Sequence, residues 1–296
     1  MRKSRNNIYR LPHLTTDILP ALSESKHCTY LVGGVIRNSL LNIESSDIDL
    51  AVVGDSLHFG KVLSNKMNGR YIELDKQRGI SRVVFIKESK VFQLDISKID
   101  QNIERDTSRR DFTVNAMALQ AKNILFDDTG PYFLREDLYD PYNGIHDVNT
   151  KTIRPTHNDI FKEDPLRLLR AIRISSQFNF NITTTTKYLI EENAHLLTKC
   201  SAERIRDEFL KILNNNNSAQ YLRLLNKLKL LEKIIEELSF TKGVKQPEQH
   251  YWDVFNHQIE CVDWFEKILD PNRIDCSNIS KPVSYTHLTL PTNREV

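Results

Sequence analysis

The sequence has no strong charge imbalance, no cysteine cluster and no long hydrophobic segment, and each absence narrows the class of protein. Its 41 basic and 39 acidic residues give a net charge of +2, so any attraction for nucleic acid must be local rather than global. The 4 cysteines are far apart and form no Cys-x-x-Cys pair, which predicts free thiols in a reducing compartment. No hydrophobic run is long enough to span a membrane, and no apolar segment follows the basic N-terminus as in a secretory signal. These absences predict a cytoplasmic protein without a membrane partner.

Strand and helix patterns alternate over roughly the first 125 residues, and helical patterns dominate the rest of the chain. The 296 residues, 40% of them hydrophobic, are enough for two or more domains. We predict a head at residues 1–142, a helical neck at 143–213, a truncated helical body at 214–280, and a non-native tail at 281–296, where no helical period continues. The pattern therefore indicates an α/β first half with a mixed sheet and a second half that is nearly all α.

Individual elements follow from the spacing of apolar residues. We predict strands at residues 29–32, 48–53, 71–74, 81–87 and 91–96, the last two forming a hairpin. We predict helices at residues 17–25, 35–41, 57–67, 161–178, 202–213, 219–225, 228–238 and 254–269.

The first chemical motif is the glycine pair Gly33-Gly34, followed by Asp47 and Asp49 at the start of a predicted strand. Side chains two apart on a strand project from the same face, about 6.6–6.8 Å apart along the backbone. Two such carboxylates repel each other unless a cation lies between them, and oxygen ligands with substrate phosphates suit Mg²⁺. The glycines let a phosphate approach the backbone at a helix N-terminus. The glycine pair alone is also typical of a turn, and the two acids alone are typical of a surface pair. Their order between two predicted strands indicates a metal and nucleoside triphosphate site.

A third acid, Asp95, lies between apolar neighbours on a predicted strand, where an unpaired charge would be costly. We predict that Asp95 completes the metal-binding acids, with a solvent-exposed position on an edge strand as the alternative.

The second motif contains Arg109-Arg110-Asp111 and Asn115. Adjacent arginines offer permanent charges suited to phosphate or ribose phosphate. Asp111 and Asn115 can bind sugar hydroxyls or orient the arginines. Taken alone, this motif favours a helix N-terminus with Asp111 as its cap and the arginines in solvent.

The third motif begins at Asp164-Pro165 and continues with Arg167, Arg170 and Arg173. Asp164 is a good N-cap before a proline at the first helical position, which alone would explain it. Each three-residue step turns about 60° around a helix, so Arg173 is expected to point away from Asp164, and all four charged residues cannot touch one base.

Asp164 and Arg167 together form an acceptor–donor pair that can select a nucleotide base. A carboxylate accepts from the exocyclic amino group of C or A, and an arginine donates to the ring nitrogen or to O2 of C. U and G present a carbonyl instead, and a good bidentate contact discriminates by about 1–3 kcal/mol. Buried groups left unpaired add to that penalty.

Together and in this order, the motifs resemble class II tRNA nucleotidyltransferases, the CCA-adding enzymes, and the related bacterial poly(A) polymerases. Residues 140–144 (Asp-Pro-Tyr-Asn-Gly) and 201–205 (Ser-Ala-Glu-Arg-Ile) extend the resemblance, which spans roughly residues 28–240. It implies an α+β protein with a polymerase-β-like nucleotidyltransferase head containing a mixed sheet, then an all-α neck and body. It assigns Mg²⁺ to Asp47 and Asp49. The positions that match the family's nucleotide-binding residues are Gly34, Arg37, Arg110, Asp164, Arg167, Arg170 and Arg173.

The expected activity is Mg²⁺-dependent, template-independent addition of C and A from CTP and ATP to the 3′ end of tRNA. The alternatives are an A-adding, CC-adding or poly(A)-adding enzyme of the same family, an inactive RNA-binding module, and a small-molecule nucleotidyltransferase, against which the arginine-rich neck argues. Three features of the matched region depart from the family pattern. Asn42 stands where the family usually has Gly. Asn38 stands where the family usually has Asp, which removes a partner charge for a neighbouring arginine, and residues 127–139 resemble an insertion in a short turn.

Overall fold

A computed structural model describes residues 8–12, 18, 22, 28–100, 102–247 and 251–269. The strands are β1 (Ile8–Arg10), β2 (Thr29–Val32), β3 (Asp47–Val53), β4 (Arg70–Asp75), β5 (Ile80–Lys87), β6 (Lys90–Ile99), β7 (Ala118–Gln120), β8 (Leu125–Asp127), β9 (Gly130–Leu134), β10 (Leu138–Tyr139), β11 (Thr152–Ile153) and β12 (Asn181–Ile182). The helices are α1 (Gly34–Leu40), α2 (Ser56–Lys66), α3 (Ile103–Ser108), α4 (Gly144–Asn149), α5 (Ile160–Glu163), α6 (Arg167–Phe178), α7 (Thr184–Asn193), α8 (Ala202–Leu213), α9 (Ser218–Lys227), α10 (Leu231–Ile234) and α11 (Val254–Leu269).

Seven strands form one sheet in the order β10-β7-β2-β3-β6-β5-β4. Neighbouring strands are antiparallel except β3 and β6, which are parallel, so the sheet is mixed as the sequence predicted. The predicted strands correspond to β2–β6, and the predicted hairpin joins β5 to β6. Its two turn residues, Glu88 and Ser89, have φ of 49° and 63°, as a tight two-residue hairpin turn requires.

The two faces of β3 have different surroundings. Ile48, Leu50 and Val52 are fully buried in the main core, against which α1 and α2 pack. The acids Asp47 and Asp49 alternate with them and therefore project from the opposite face. On that face Ala51 is buried in a smaller apolar cluster, so the polar part of the face lies at the Asp47 end of β3.

The predicted helix over residues 161–178 is interrupted, which corrects that prediction. Asp164 has an extended backbone (φ −142°, ψ 100°) between α5 and α6. The cause is Pro165, whose ring disfavours helical geometry in the preceding residue. Asp164 therefore precedes the helix, and its side chain accepts a hydrogen bond from the Leu166 backbone N–H at 3.2 Å.

The other helix predictions agree with the structure in part. Residues 202–213 and 254–269 are helical as predicted. The predicted helix over 228–238 is wrong in extent, because Lys229 has φ of 59° and Ile235 is extended, leaving α10 and a 3₁₀ segment at Glu236–Thr241. Helices α3, α4 and α7 are absent from the predicted set, and so is the short parallel β11–β12 pair. Most of the predicted helix 17–25, and the predicted tail 281–296, lie outside the described residues.

Residues 127–139, expected as an insertion in a turn, contribute to two sheets. Strand β9 lies between β1 and β8 in a three-stranded antiparallel sheet, and β10 forms the edge of the large sheet. Phe133 in β9 is fully buried, so this segment belongs to the core of the predicted head. The predicted boundaries at residues 142, 213 and 280 stay predictions. Within the described ranges, no helix is both long and apolar enough to cross a bilayer.

Candidate active site

A cavity of about 650 Å³ lies between the sheet and α6, and we call it the acid–arginine cavity. The structure brings all twelve residues of the predicted site to its walls. They are Gly34, Arg37, Asp47, Asp49, Asp95, Arg110, Asp111, Asn115, Asp164, Arg167, Arg170 and Arg173. The remaining lining residues are Gly33, Asn38, Ser45, Arg82, Gln93, Arg109, Gln177 and Lys211. Residues of both predicted domains therefore form one site, in which the individual roles stay predictions.

The acids on β3 make no hydrogen bond or ion pair through their carboxylates within the described part of the chain. Asp47 is exposed, whereas Asp49 lies deeper beside Gly33. Burial raises the pKa of Asp49, Arg110 opposes that shift, and the charges of Asp95 and Asp47 add to it. Burial and like charges both destabilise the ionised form of this acid, so a nearby cation is expected to stabilise it.

The donor set fits Mg²⁺ bound by two protein carboxylates. No group of three or more His, Cys, Asp or Glu side chains is arranged to hold an ion among the described residues. Asp95, predicted as a third acid, instead accepts two hydrogen bonds from Arg82, at 2.6 and 2.9 Å. Mg²⁺ commonly binds one or two carboxylates and completes its shell with water and substrate phosphates, so Asp47 and Asp49 suffice as protein ligands.

The backbone conformation and the close neighbours of position 33 require a glycine there. Its φ is 72°, and a β-carbon placed there would lie 2.8 Å from Asp49 Oδ2 and 2.9 Å from Arg110 Nη1. A larger residue would therefore displace two cavity side chains as well as strain the backbone.

Arg37, on α1, is buried in the wall of the cavity. Its guanidinium donates to the side-chain oxygens of Asn115 and Asn38, and its Cζ lies 4.2 Å from the centroid of the Phe178 ring. Burial, followed by the charge of Arg173, lowers the pKa of Arg37 to about 10. The departure at Asn38 therefore leaves Arg37 with a hydrogen-bond partner but without a partner charge.

Asp111 and Asn115 orient arginines, which is one of the two roles the sequence left open for them. Asp111 is buried and accepts from the Asn115 amide at 3.0 Å and from Arg170 Nε at 2.8 Å. Burial opposes ionisation of Asp111, but the Arg170 charge and these hydrogen bonds outweigh it and lower the pKa of the carboxyl. The expected N-terminal cap of a helix in solvent is not what forms here.

Asp164 and Arg167 both line the cavity, and the Arg167 backbone N–H donates to the Asp164 carbonyl at 3.0 Å, but their side chains have different partners. Asp164 accepts from Arg204 Nη2 on α8 at 3.1 Å, and Arg167 donates to Glu163 Oε2 at 3.0 Å and to the Arg109 carbonyl at 2.8 Å. Arg173, expected to point away from Asp164, lines the same cavity and pairs with Glu208 on α8.

Six of the seven arginines that line the cavity have a carboxylate partner. The pairs are Arg82–Asp95, Arg109–Asp100, Arg110–Asp106, Arg167–Glu163, Arg170–Asp111 and Arg173–Glu208. Arg37 is the exception within the described ranges. Its direct partners are the side-chain oxygens of Asn115 and Asn38 and the Phe178 ring, while Asp111 and Asp49 act on its charge from a distance.

Arg82 and Lys211 are the main residues that sequence reasoning missed. A signal for Arg82 existed in the predicted hairpin, because its two-residue turn places Arg82 directly opposite Asp95. Lys211 follows the buried Glu208 by three positions on α8, with the two charged groups 3.7 Å apart, and no cavity motif contains it.

The sequence and the fold are similar to those of known proteins. The profile of a poly A polymerase head domain matches residues 29–154, and that of a probable RNA and SrmB-binding site of polymerase A matches residues 179–241. The chain is 32% identical over 194 residues to a CC-adding tRNA nucleotidyltransferase of Geobacter sulfurreducens, covering 65% of this chain and 42% of that protein. It is 31% identical over 237 residues to an A-adding tRNA nucleotidyltransferase of Deinococcus radiodurans, covering 78% and 50%. The Thermotoga maritima CCA-adding enzyme complexed with tRNA-CCA has a TM-score of 0.63 and 30% identity, covering 79% of this chain and 53% of the other.

Residues 29–154 thus form a head domain of the poly(A) polymerase type. More particularly, the chain belongs to the family of tRNA nucleotidyltransferases and bacterial poly(A) polymerases, and its α+β fold is the one that family resemblance implied. The chain spans about half the length of the relatives described above.

Proposed function

We propose that this protein adds C and A nucleotides from CTP and ATP to the 3′ end of tRNA, without a nucleic-acid template and with Mg²⁺ as its cofactor. The observation that carries this proposal is the acid–arginine cavity, in which Asp47 and Asp49 face arginines of α6. Free thiols at Cys28, Cys200 and Cys261 favour a cytoplasmic location for the reaction.

Each wall of the cavity has a part in this reaction. Asp47 and Asp49 would hold Mg²⁺, which when bound activates the attacking 3′-hydroxyl and neutralises triphosphate charge. Arg37 and Arg110 would bind the triphosphate, because permanent charges with several donors suit phosphate oxygens. Asp111 keeps Arg170 on the cavity wall through the ion pair described above.

Base selection is assigned to Asp164 and Arg167. Asp164 would accept from the amino group of C or A, once its carboxylate exchanges Arg204 for the base, and Arg167 would donate to the ring. Related enzymes that add only CC or only A are the competing candidates, since the relatives compared above include both kinds. A poly(A) polymerase and an inactive RNA-binding module are the further alternatives.

Product length separates these candidates. The purified chain is incubated with Mg²⁺ and either a tRNA that lacks its terminal CCA or one that ends in CC, with CTP, ATP or both, and products are resolved on a sequencing gel. On the first tRNA we expect three added nucleotides with both substrates and two with CTP alone. Asp47→Asn is the inactive control and must remain folded by circular dichroism. Addition of A alone or CC alone, or of a long A tail, would assign the corresponding relative's activity, and a folded chain that adds nothing under any condition refutes the proposal.

A further inference from the structure

Asp95 lies between two groups of opposite charge that are set by strand register. It is directly opposite Asp49 on the parallel strand β3 and directly opposite Arg82 on the antiparallel strand β5. Residues in register project from the same face of a sheet, so two carboxylates and one guanidinium meet there. A carboxylate beside another carboxylate needs a positive charge nearby, and Arg82 supplies it.

The Arg82–Asp95 pair is joined by a bidentate contact, but its side chains are not buried. Two hydrogen bonds of 2.6 and 2.9 Å join the guanidinium to both carboxylate oxygens. The two side chains remain 36% and 38% exposed, so they can separate without losing much packing. Arg82 also lines the cavity, where it can turn toward another anion.

We propose that Arg82 competes with the divalent cation for Asp95. Asp95 becomes a cation ligand only after Arg82 has moved to another anion in the cavity, for which the phosphates of the incoming nucleotide are the available partners. Arg82 is thus a positioning residue that keeps the third acid neutralised until cation and nucleotide are both present. This inference rests on the proposed function for the identity of the cation.

Cation binding alone tests the inference, without nucleotide or tRNA. Mn²⁺ is titrated into the full chain, and free Mn²⁺ is measured by electron paramagnetic resonance. Arg82→Gln should tighten Mn²⁺ binding by roughly two- to fivefold, the size expected for release of a partly exposed ion pair. Arg78→Gln is the matched control, because Arg78 lies in the preceding turn, is 80% exposed and pairs only with Asp75, and it should leave the affinity unchanged.

A second variant identifies the acid that is released. Asp95→Asn combined with Arg82→Gln should abolish the gain, and Arg82→Lys, which loses the bidentate contact but keeps the charge, should give a smaller gain. The Lys variant decides the question if Arg82→Gln fails to fold. An affinity in the Arg82 variants that is no tighter than in the parent, or a gain that persists without Asp95, overturns the proposal. Neither outcome depends on nucleotide addition, so failure here is distinct from failure of the proposed activity.

Discussion

Asp49 is a buried acid whose charged form is opposed by its surroundings. An acid whose pKa is raised on folding destabilises the folded state at pH values above its unfolded pKa. That penalty disappears once the pH falls below the unfolded pKa of about 3.9. The same arrangement that suits a cation therefore costs stability in its absence.

We expect Asp49→Asn to abolish nucleotide addition and yet to melt at a higher temperature than the parent chain in EDTA at pH 7.5. The rise should be a few degrees, on the order of 1 kcal/mol, and should shrink as the pH is lowered toward 4, because the parent carboxyl then becomes neutral as well. Thermal melts at several pH values measure this. Asp128→Asn, at an exposed turn position, is the control and should show no such trend. A lower melting temperature for Asp49→Asn at pH 7.5 would contradict the argument.

Asn38 offers a second test at the residue scale. Asn38→Asp would place a negative charge against a buried arginine whose pKa is lowered to about 10, and its oxygen could still accept both hydrogen bonds. We expect stabilisation of about 1 kcal/mol in urea unfolding and faster nucleotide addition, because a charge-assisted pair holds Arg37 more firmly. Asn65→Asp, exposed on α2, should leave both unchanged. An unchanged or lower unfolding free energy for Asn38→Asp would show that the neutral partner already suffices.

The sequence predicted the residues of the cavity but not their partners. Each motif carries its own spacing along the chain, so Asp47, Asp111 and Arg170 could be identified locally. The contact of Asp164 with Arg204 depends instead on how α8 packs beside α6, and neither motif contains that information.

Between elements, an ion pair with one buried charge joins α6 to α8. Glu208 on α8 is 6% exposed and accepts from Arg173 Nε at 2.7 Å. Removal of one partner from such a pair leaves the other charge uncompensated in a partly buried position.

Glu208→Gln should therefore destabilise the fold by about 2 kcal/mol in urea unfolding. Glu203→Gln, exposed on the same helix, should change the unfolding free energy by no more than about 0.5 kcal/mol. Equal changes in unfolding free energy for the two substitutions would mean that the Arg173–Glu208 ion pair does not contribute to stability.

The start of α6 shows why element boundaries were harder to predict than element existence. Apolar periodicity continues through residues 161–178, so it cannot register the extended backbone at Asp164. The proline at position 165 was the informative residue, because it restricts the residue before it. Asp164 therefore lies outside α6, and an angle counted along a continuous helix does not describe its direction relative to Arg173.

Across the whole molecule, the predicted head and neck are joined through the cavity wall. Asp111 pairs with Arg170, and Thr156 Oγ1 donates to the Arg110 carbonyl at 2.6 Å. Because the pKa of Asp111 is lowered, the stability it contributes is present above the unfolded pKa of about 3.9 and is lost only as the pH falls through its lower folded value. The sequence predicted two parts with different composition, but this contact joins residues 59 positions apart and could not be seen in either part.

Asp111→Asn should loosen this contact without unfolding the sheet. Hydrogen–deuterium exchange at neutral pH is expected to increase in α6, while β3 and β6 remain protected, because the substitution leaves Arg170 without its carboxylate. Asp100→Asn, which removes an exposed partner of Arg109, is the control. Equal protection of α6 in the parent and in Asp111→Asn would show that other contacts alone join the two parts.

The pairing of cavity arginines with carboxylates has a consequence for ionic strength. A triphosphate entering the cavity displaces tethered carboxylates, whereas in an unpaired basic cleft it would displace counterions that return to bulk solution. The protein's own acids act as permanent competitors whose local concentration no buffer can dilute. We expect the dissociation constant for ATP, measured by calorimetry in EDTA, to change by less than about threefold between about 50 and 300 mM KCl. A steep salt dependence would mean that the pairs open before the nucleotide arrives.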